Sequence, residues 1–169
     1  MKKNFFLTFF IIFALAQKSF AYSNDPKEFI SEIVAEAKSI LAATNTKEYK
    51  TQKLSEVALK TVDIKGVGFY SLGKYKKNLT DSQLSEYLVL FEKYFLKSFT
   101  SRLTDYSDPK IDVIDTQVLN PKYTIVKSVL LATEKRPEVK IEWRVYTKNP
   151  EKILIRDLII EGLSLARTQ

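Results

Sequence analysis

The chain has 169 residues, 27 Lys and Arg against 20 Asp and Glu, a formal net charge of +7, and neither histidine nor cysteine. Those two absences exclude Ser-His-Asp and Cys-His nucleophilic catalysis, zinc held by imidazole or thiolate, ordinary haem ligation and disulfide staples. Without Lys2, Lys3 and Lys18 the remainder keeps 24 basic against 20 acidic residues, +4 in all, which is weak attraction to anionic surfaces and poor support for nucleic-acid binding.

Residues 1–21 read as a secretory signal peptide. Lys2 and Lys3 form the positive start, Phe5 to Ala16 is a 12-residue apolar run, and Ser19-Phe20-Ala21 is a small-x-small cleavage signal. The run is too short to span a bilayer. Residues 22–169 are then one exported domain, and a disulfide-free exported chain fits a bacterial periplasm. Stability must come from a hydrophobic core, which a chain of this length can build.

Asp25-Pro26 is a helix start, a side-chain cap followed by proline at the first helical position. Phe29, Ile33, Ala37 and Ile40 or Leu41 follow at helical spacing, to about Ala43. A polar linker is expected over Thr44 to Tyr49 and a second helix over Thr51 to Thr61. Ile64 to Lys77 holds three of the four glycines, in an order that matches neither a P-loop nor a dinucleotide fingerprint. It reads as a short helix ending near Gly73, with Val67, Phe69 or Tyr70, Leu72 and Tyr75 inward and a small basic cluster of Lys74, Lys76 and Lys77 behind it.

Thr80 to Leu103 is the stretch around which the rest is organised. Thr80 and Gln83 spell a capping box, and Leu84, Leu88, Phe91, Phe95 and Phe99 recur at spacings of three and four. Such an aromatic stripe is either core packed on a sheet or the lining of an apolar cavity, and the pattern suits both. The period then changes. Strands are expected over Ile111 to Leu119, Tyr123 to Thr133, Val139 to Tyr146 and Ile153 to Leu165, separated by turns at Asn120-Pro121, Pro137 and Asn149-Pro150. The fold class is α+β: N-terminal helices packed on a curved four-stranded antiparallel sheet, a cone-like shape with an apolar cavity at its open end.

Two acidic pairs are candidates for chemistry. Strand alternation puts Asp112 and Asp115 on opposite faces, where they do not converge. Asp157 and Glu161 share a face of the last strand, with a structural role expected, pairing to Arg144 or Arg156 or capping a turn.

Two stretches carry a resemblance. Leu72-Gly73-Lys74-Tyr75, followed by Thr80, Gln83, Tyr87, Phe91 and Phe99, resembles the L-G-x-Y, T-x-x-Q and helix aromatics of the MlaC, or toluene-tolerance, family of periplasmic phospholipid-binding proteins. Asp157-x-x-x-Glu161-Gly162-x-Ser164 is similar to the same family's D-x-x-x-E-G-x-S. Family members continue past that strand into a further helix, so by the resemblance this sequence is either a fragment or a truncated member, without part of the cavity wall or its lid.

The resemblance implies a phospholipid shuttle, with no enzyme activity, catalytic residue, metal or cofactor. Its partners would be an outer-membrane lipoprotein complex and the lipid-binding subunit of an inner-membrane ABC transporter, with transient contact at the membranes. Acyl tails are then expected between the long helix and the sheet, lined by Val67, Leu72, Leu88, Phe91, Phe95, Val129, Leu131, Ile141, Trp143, Val145, Leu158 and Ile160, with Lys74 or Arg144 near the headgroup. The alternatives are a carrier of another envelope lipid such as a hopanoid, an isomerase-like enzyme on a similar cone using Asp157 with Tyr75 or Tyr87, and a chaperone-like envelope protein.

Overall fold

A computed structural model of the protein describes residues 21–134 and 136–167; the signal-peptide reading of the first twenty residues lies outside that range. Helix α1 runs Pro26–Ala42, and the Asp25 carboxylate accepts hydrogen bonds from the free N–H groups of Lys27 and Glu28 at its start. Its buried face is Phe29, Ile30, Ile33 and Leu41. Helix α2 spans Lys47–Thr61 and begins a turn before the expected Thr51, because the Thr46 hydroxyl accepts from the Tyr49 N–H. Of the polar stretch read as linker, Thr44 to Thr46 is the connection, while Lys47 to Tyr49 is an exposed first helical turn.

Asp63 caps α3 (Ile64–Leu72) by accepting from the Gly66 N–H at 2.9 Å. Gly73 ends it with φ +51° and ψ −127°, a conformation open to glycine and to few others, and a 3-10 helix follows over Gly73–Asn78. This turn throws Tyr75 outward to 62% exposure, against the inward position expected for it. The long helix α4 (Asp81–Leu103) has its complete capping box: Thr80 accepts from the Gln83 N–H and the Gln83 side chain accepts from the Thr80 N–H.

The strands are β1 (Ile111–Asn120), β2 (Tyr123–Leu130), β3 (Val139–Tyr146), β4 (Leu154–Ile160) and β5 (Leu163–Ser164), antiparallel and in sequence order. The sheet has five strands where four were expected, because Glu161 at φ 49° and Gly162 at φ 81° turn the last stretch back on itself. Register puts Ile141, Trp143 and Val145 opposite Ser128, Val126 and Thr124 on one side and, for the first two, opposite Ile160 and Leu158 on the other. One face of the sheet therefore gathers five of the predicted lining residues. A bulge at Ile114 corrects the reading of the first acidic pair. Asp112 faces Val129 and Asp115 faces Lys127, two residues apart on β2, so the extra residue brings both aspartates to one face.

The main core lies where α1 meets the sheet. Phe29, Ile30 and Ile33 pack with Val57 of α2, Val126, Val145, Ile153 and Ile155. A second, smaller cluster joins Ile64 and Val67 of α3 to Phe91 of α4 and to Ala166 beyond β5. Helix α4 rests on α2 and α3.

Candidate functional site

A bulge between β3 and β4 opens the site. Arg144 pairs with Asp157 and the next pair is Val145 with Ile155, which leaves Arg156 out of the ladder. Arg156 and Asp157, neighbours in sequence, consequently line the same cleft. Its volume is about 430 Å³; Gly66 and Tyr70 of α3, Leu119, Asn120 and Tyr123 around the β1–β2 turn, Arg144 and Ala166 complete the wall.

Each guanidinium is held differently. Arg156 donates from Nε to the Asp63 carboxylate at 2.7 Å and from Nη1 to the Tyr123 hydroxyl at 3.0 Å, while its guanidinium carbon lies 3.8 Å from the centre of the Tyr146 ring. Burial pulls its pKa down, and the bonds to Tyr123 and Asp63 outweigh that and leave it raised, so it stays charged. Among the described residues Arg144 has a single carboxylate contact, Nη1 to Asp157 at 3.4 Å, and its buried Nε has no hydrogen-bond partner. An orphaned buried donor costs about 1–3 kcal/mol, which a bound acceptor would relieve.

Asp157 ties the end of the chain to the sheet. Its carboxylate accepts from the Ser164 hydroxyl at 2.7 Å and the Ala166 N–H at 3.0 Å as well as facing Arg144. The D-x-x-x-E-G-x-S pattern is thus a structural hairpin: Asp157 holds both the serine and the segment after it, and Gly162 makes the turn. Glu161 is exposed in that turn, where its carboxylate accepts from the Lys140 N–H, so it does not share a site with buried Asp157 as expected. Tyr75 is exposed and the Tyr87 hydroxyl donates to the Gly68 carbonyl, so neither partner of the isomerase reading meets the Asp157 carboxylate.

Beside the cleft runs a ladder of rings on α4. Tyr87, Phe91, Phe95 and Phe99 follow one another with centroids 5.7, 6.3 and 5.9 Å apart. Gly68 lets α3 close on this ladder, since a Cβ there would sit 2.9 Å from the Phe91 ring. Of the four rings only Phe91 is buried; the others are half-covered. Ala166 joins the two features, lining the cleft while packing in the cluster of Phe91 and Val67.

The twelve predicted lining residues fall in several places. Val67, Phe91 and Phe95 belong to the ladder cluster, and Val145, wholly buried, and Trp143 belong to the α1–sheet core. Leu158 and Ile160 are half-buried and Ile141 buried on the same sheet face as Trp143. Val129 pairs with Lys140, on the other face from Ser128 and Ile141. Leu72, Leu88 and Leu131 are half-buried. None of the twelve lines the arginine cleft, whose wall mixes charge with apolar surface and differs from the apolar cavity expected. Arg144 is in it; Lys74 is not and lies exposed beside Tyr75. Sequence reasoning missed Tyr70, Asn120, Tyr123 and Arg156 as wall residues, because the contacts that place them link positions as far apart as Asp63 and Arg156.

Among the described residues no three acidic side chains are grouped so as to hold a metal ion, and no helix is long and apolar enough to cross a membrane. The family model described as MlaC protein matches residues 27–169. The fold is similar to that of a phospholipid-binding protein from Ralstonia solanacearum solved in complex with a phospholipid, with 16% identity, a TM-score of 0.67, and coverage of 82% of this chain and 79% of that one. At that identity the likeness establishes the fold.

Proposed function

Because the chain belongs to the MlaC protein family, we propose that it is a periplasmic phospholipid carrier that shuttles lipid between the outer and inner membranes. Its partners would be an outer-membrane lipoprotein complex and the lipid-binding subunit of an inner-membrane ABC transporter. The similar Ralstonia protein, solved with a phospholipid, supports the cargo class. The observation that carries the reading is the junction at Ala166, where a cleft holding two guanidiniums adjoins a half-covered aromatic ladder. A phospholipid has that polarity, an anionic phosphate joined to apolar tails.

The division of labour follows from the chemistry. Exposing an acyl tail to water costs about 0.8 kcal/mol per CH₂, so a free lipid crosses an aqueous compartment too slowly, and a protein that covers the tails offsets that cost. The phosphate would be received by Arg144, whose Nε lacks a partner, with Arg156 adding charge from a fixed position. The tails would lie along Leu88 of α4, Phe91 and Phe95 of the ladder, and the sheet face bearing Trp143, Leu158 and Ile160. No bond is made or broken, and none of these roles needs a catalytic group.

The test is native mass spectrometry of the exported protein, purified from a periplasm without detergent, with extraction of whatever is bound. Near-stoichiometric phospholipid is expected. A lipid without phosphorus would instead make it a carrier of another envelope lipid, and folded protein free of any lipid would overturn the carrier reading.

A further inference from the structure

Between Asp63 and Asp81 the chain has no acidic residue and no arginine, but it has Lys65, Lys74, Lys76 and Lys77. Residues 22–169 sum to +4, since they hold 24 basic and 20 acidic side chains. Those four lysines therefore equal the whole net charge, and the rest of residues 22–169 balances at 20 against 20. The positive excess is not spread over the surface; it belongs to α3 and the 3-10 helix.

All four lysines are exposed, and among the described residues none has a carboxylate within 4.0 Å. Three of them lie against aromatic rings. The Lys76 ammonium is 3.8 Å from the centre of the Phe69 ring, Lys65 is 5.6 Å from the same ring, and Lys74 is 5.5 Å from that of Tyr75. Tyr75 itself is 62% exposed and Tyr70, on the cleft wall, 48%.

We propose that this lysine-tyrosine surface, Lys65 to Lys77, docks the protein on an anionic phospholipid bilayer. The composition favours a bilayer over an acidic protein. Protein interfaces enrich arginine and deplete lysine, whereas unpaired lysines act as point charges that need no fixed geometry in the acceptor. Tyrosine with lysine is also the pairing found at the headgroup level of membranes. The surface shares a helix with Gly66 and Tyr70, so a docked molecule would hold its cleft close to the lipid. The docking stands apart from the cargo reading, because it concerns the outside of α3 and not what the cleft contains.

The test is co-sedimentation of the exported protein with vesicles of phosphatidylcholine alone and of phosphatidylcholine mixed with phosphatidylglycerol. Binding is expected to the mixed vesicles only, and to fall as salt is raised. Replacing Lys74, Lys76 and Lys77 together by Gln should weaken it about 100-fold, on the basis of roughly fivefold per lysine near an anionic surface. A control triple, Lys38→Gln, Lys93→Gln and Lys148→Gln, makes the same change of net charge elsewhere and should have a small effect. Equal losses in both triples, or no preference for phosphatidylglycerol, would overturn the proposal. So would a surface that retains an acidic protein partner and no vesicle. Lipid content of the Lys74, Lys76 and Lys77 variant should match the parent, so a failed docking experiment would leave the carrier reading untouched.

Discussion

The two apolar clusters of this fold are finished to different degrees. Where α1 meets the sheet, Ile30, Val126 and Val145 have no exposure at all, and the buried cluster draws on four helical and three strand positions and on Ile153. Where α3 meets α4, the best-covered ring is Phe91 at 8%, and Tyr87, Phe95 and Leu96 around it are only half-buried. Both regions are built of apolar side chains. What differs is the number of layers over them: the first has a helix on a sheet, the second has helices with one short segment around Ala166. A closed core gains its full transfer free energy from the protein alone, and a half-covered one leaves part of it to whatever else can cover it.

The sharpest way to break that contrast is to truncate one side chain in each region. Ile30→Ala removes buried methylenes from a site that cannot collapse and should cost about 4 kcal/mol, or roughly 12 °C in melting temperature for a domain of this size. Lipid bound per folded molecule should not change. Phe95→Ala, in the ladder, should cost only about 1.5 kcal/mol, mostly its stacking with Phe91 and Phe99, yet lower the bound lipid. Thermal melts and lipid extraction on the two variants read both quantities. Equal melting shifts would mean that the ladder is ordinary core after all.

Between these regions stands the segment after β5, and Asp157 is what fastens it. Asp157→Asn keeps one acceptor oxygen, for the Ala166 N–H, turns the other into an NH₂ that can only donate to the Ser164 hydroxyl, and leaves Arg144 without its counter-charge. Breaking a fully buried pair costs about 3–5 kcal/mol; with the Arg144 side chain 30% exposed, about 2 kcal/mol is expected. Denaturant unfolding measures it. Because the aspartate acts by holding the segment and not by proton transfer, the variant should still bind lipid when folded, and loss of all binding in a well-folded Asp157→Asn protein would contradict that.

How much of this was legible depended on the range over which each feature is decided. The α1 start, the capping box of α4 and the alternation of β3 rest on residues within four positions of each other, and each stands where expected. The resemblance carried the family, and the periodicities and turn signals carried the order of elements. Gly73 ends α3 as expected, but three other features decided by one residue were read wrongly. A bulge at Ile114 reversed a face, Thr46 moved the start of α2, and Gly162 turned one long strand into β4 and β5. The cleft was out of reach for another reason. Arg156 meets Asp63 across 93 residues and Arg167 meets Tyr70 across 97, and no periodicity along the chain encodes either pair.

The smallest effect concerns the end of α4 farthest from this tertiary support. Thr80 is exposed, and among the described residues its hydroxyl hydrogen-bonds only within its own turn, accepting from the Gln83 N–H and meeting the Gln83 side chain. Thr80→Ala should cost about 1 kcal/mol, the usual worth of an N-cap, or about 3 °C in melting temperature. The location of that loss is the informative part. If α4 is held by its ladder, fraying the first turn should speed amide exchange over Asp81 to Ser85 and leave Phe91 to Phe99 unchanged. If the half-covered ladder contributes little, α4 should loosen as a unit and exchange should quicken along its whole length. Uniform quickening would show that the aromatic face waits for a ligand to fix it, while a local effect would show that α2 and α3 already do.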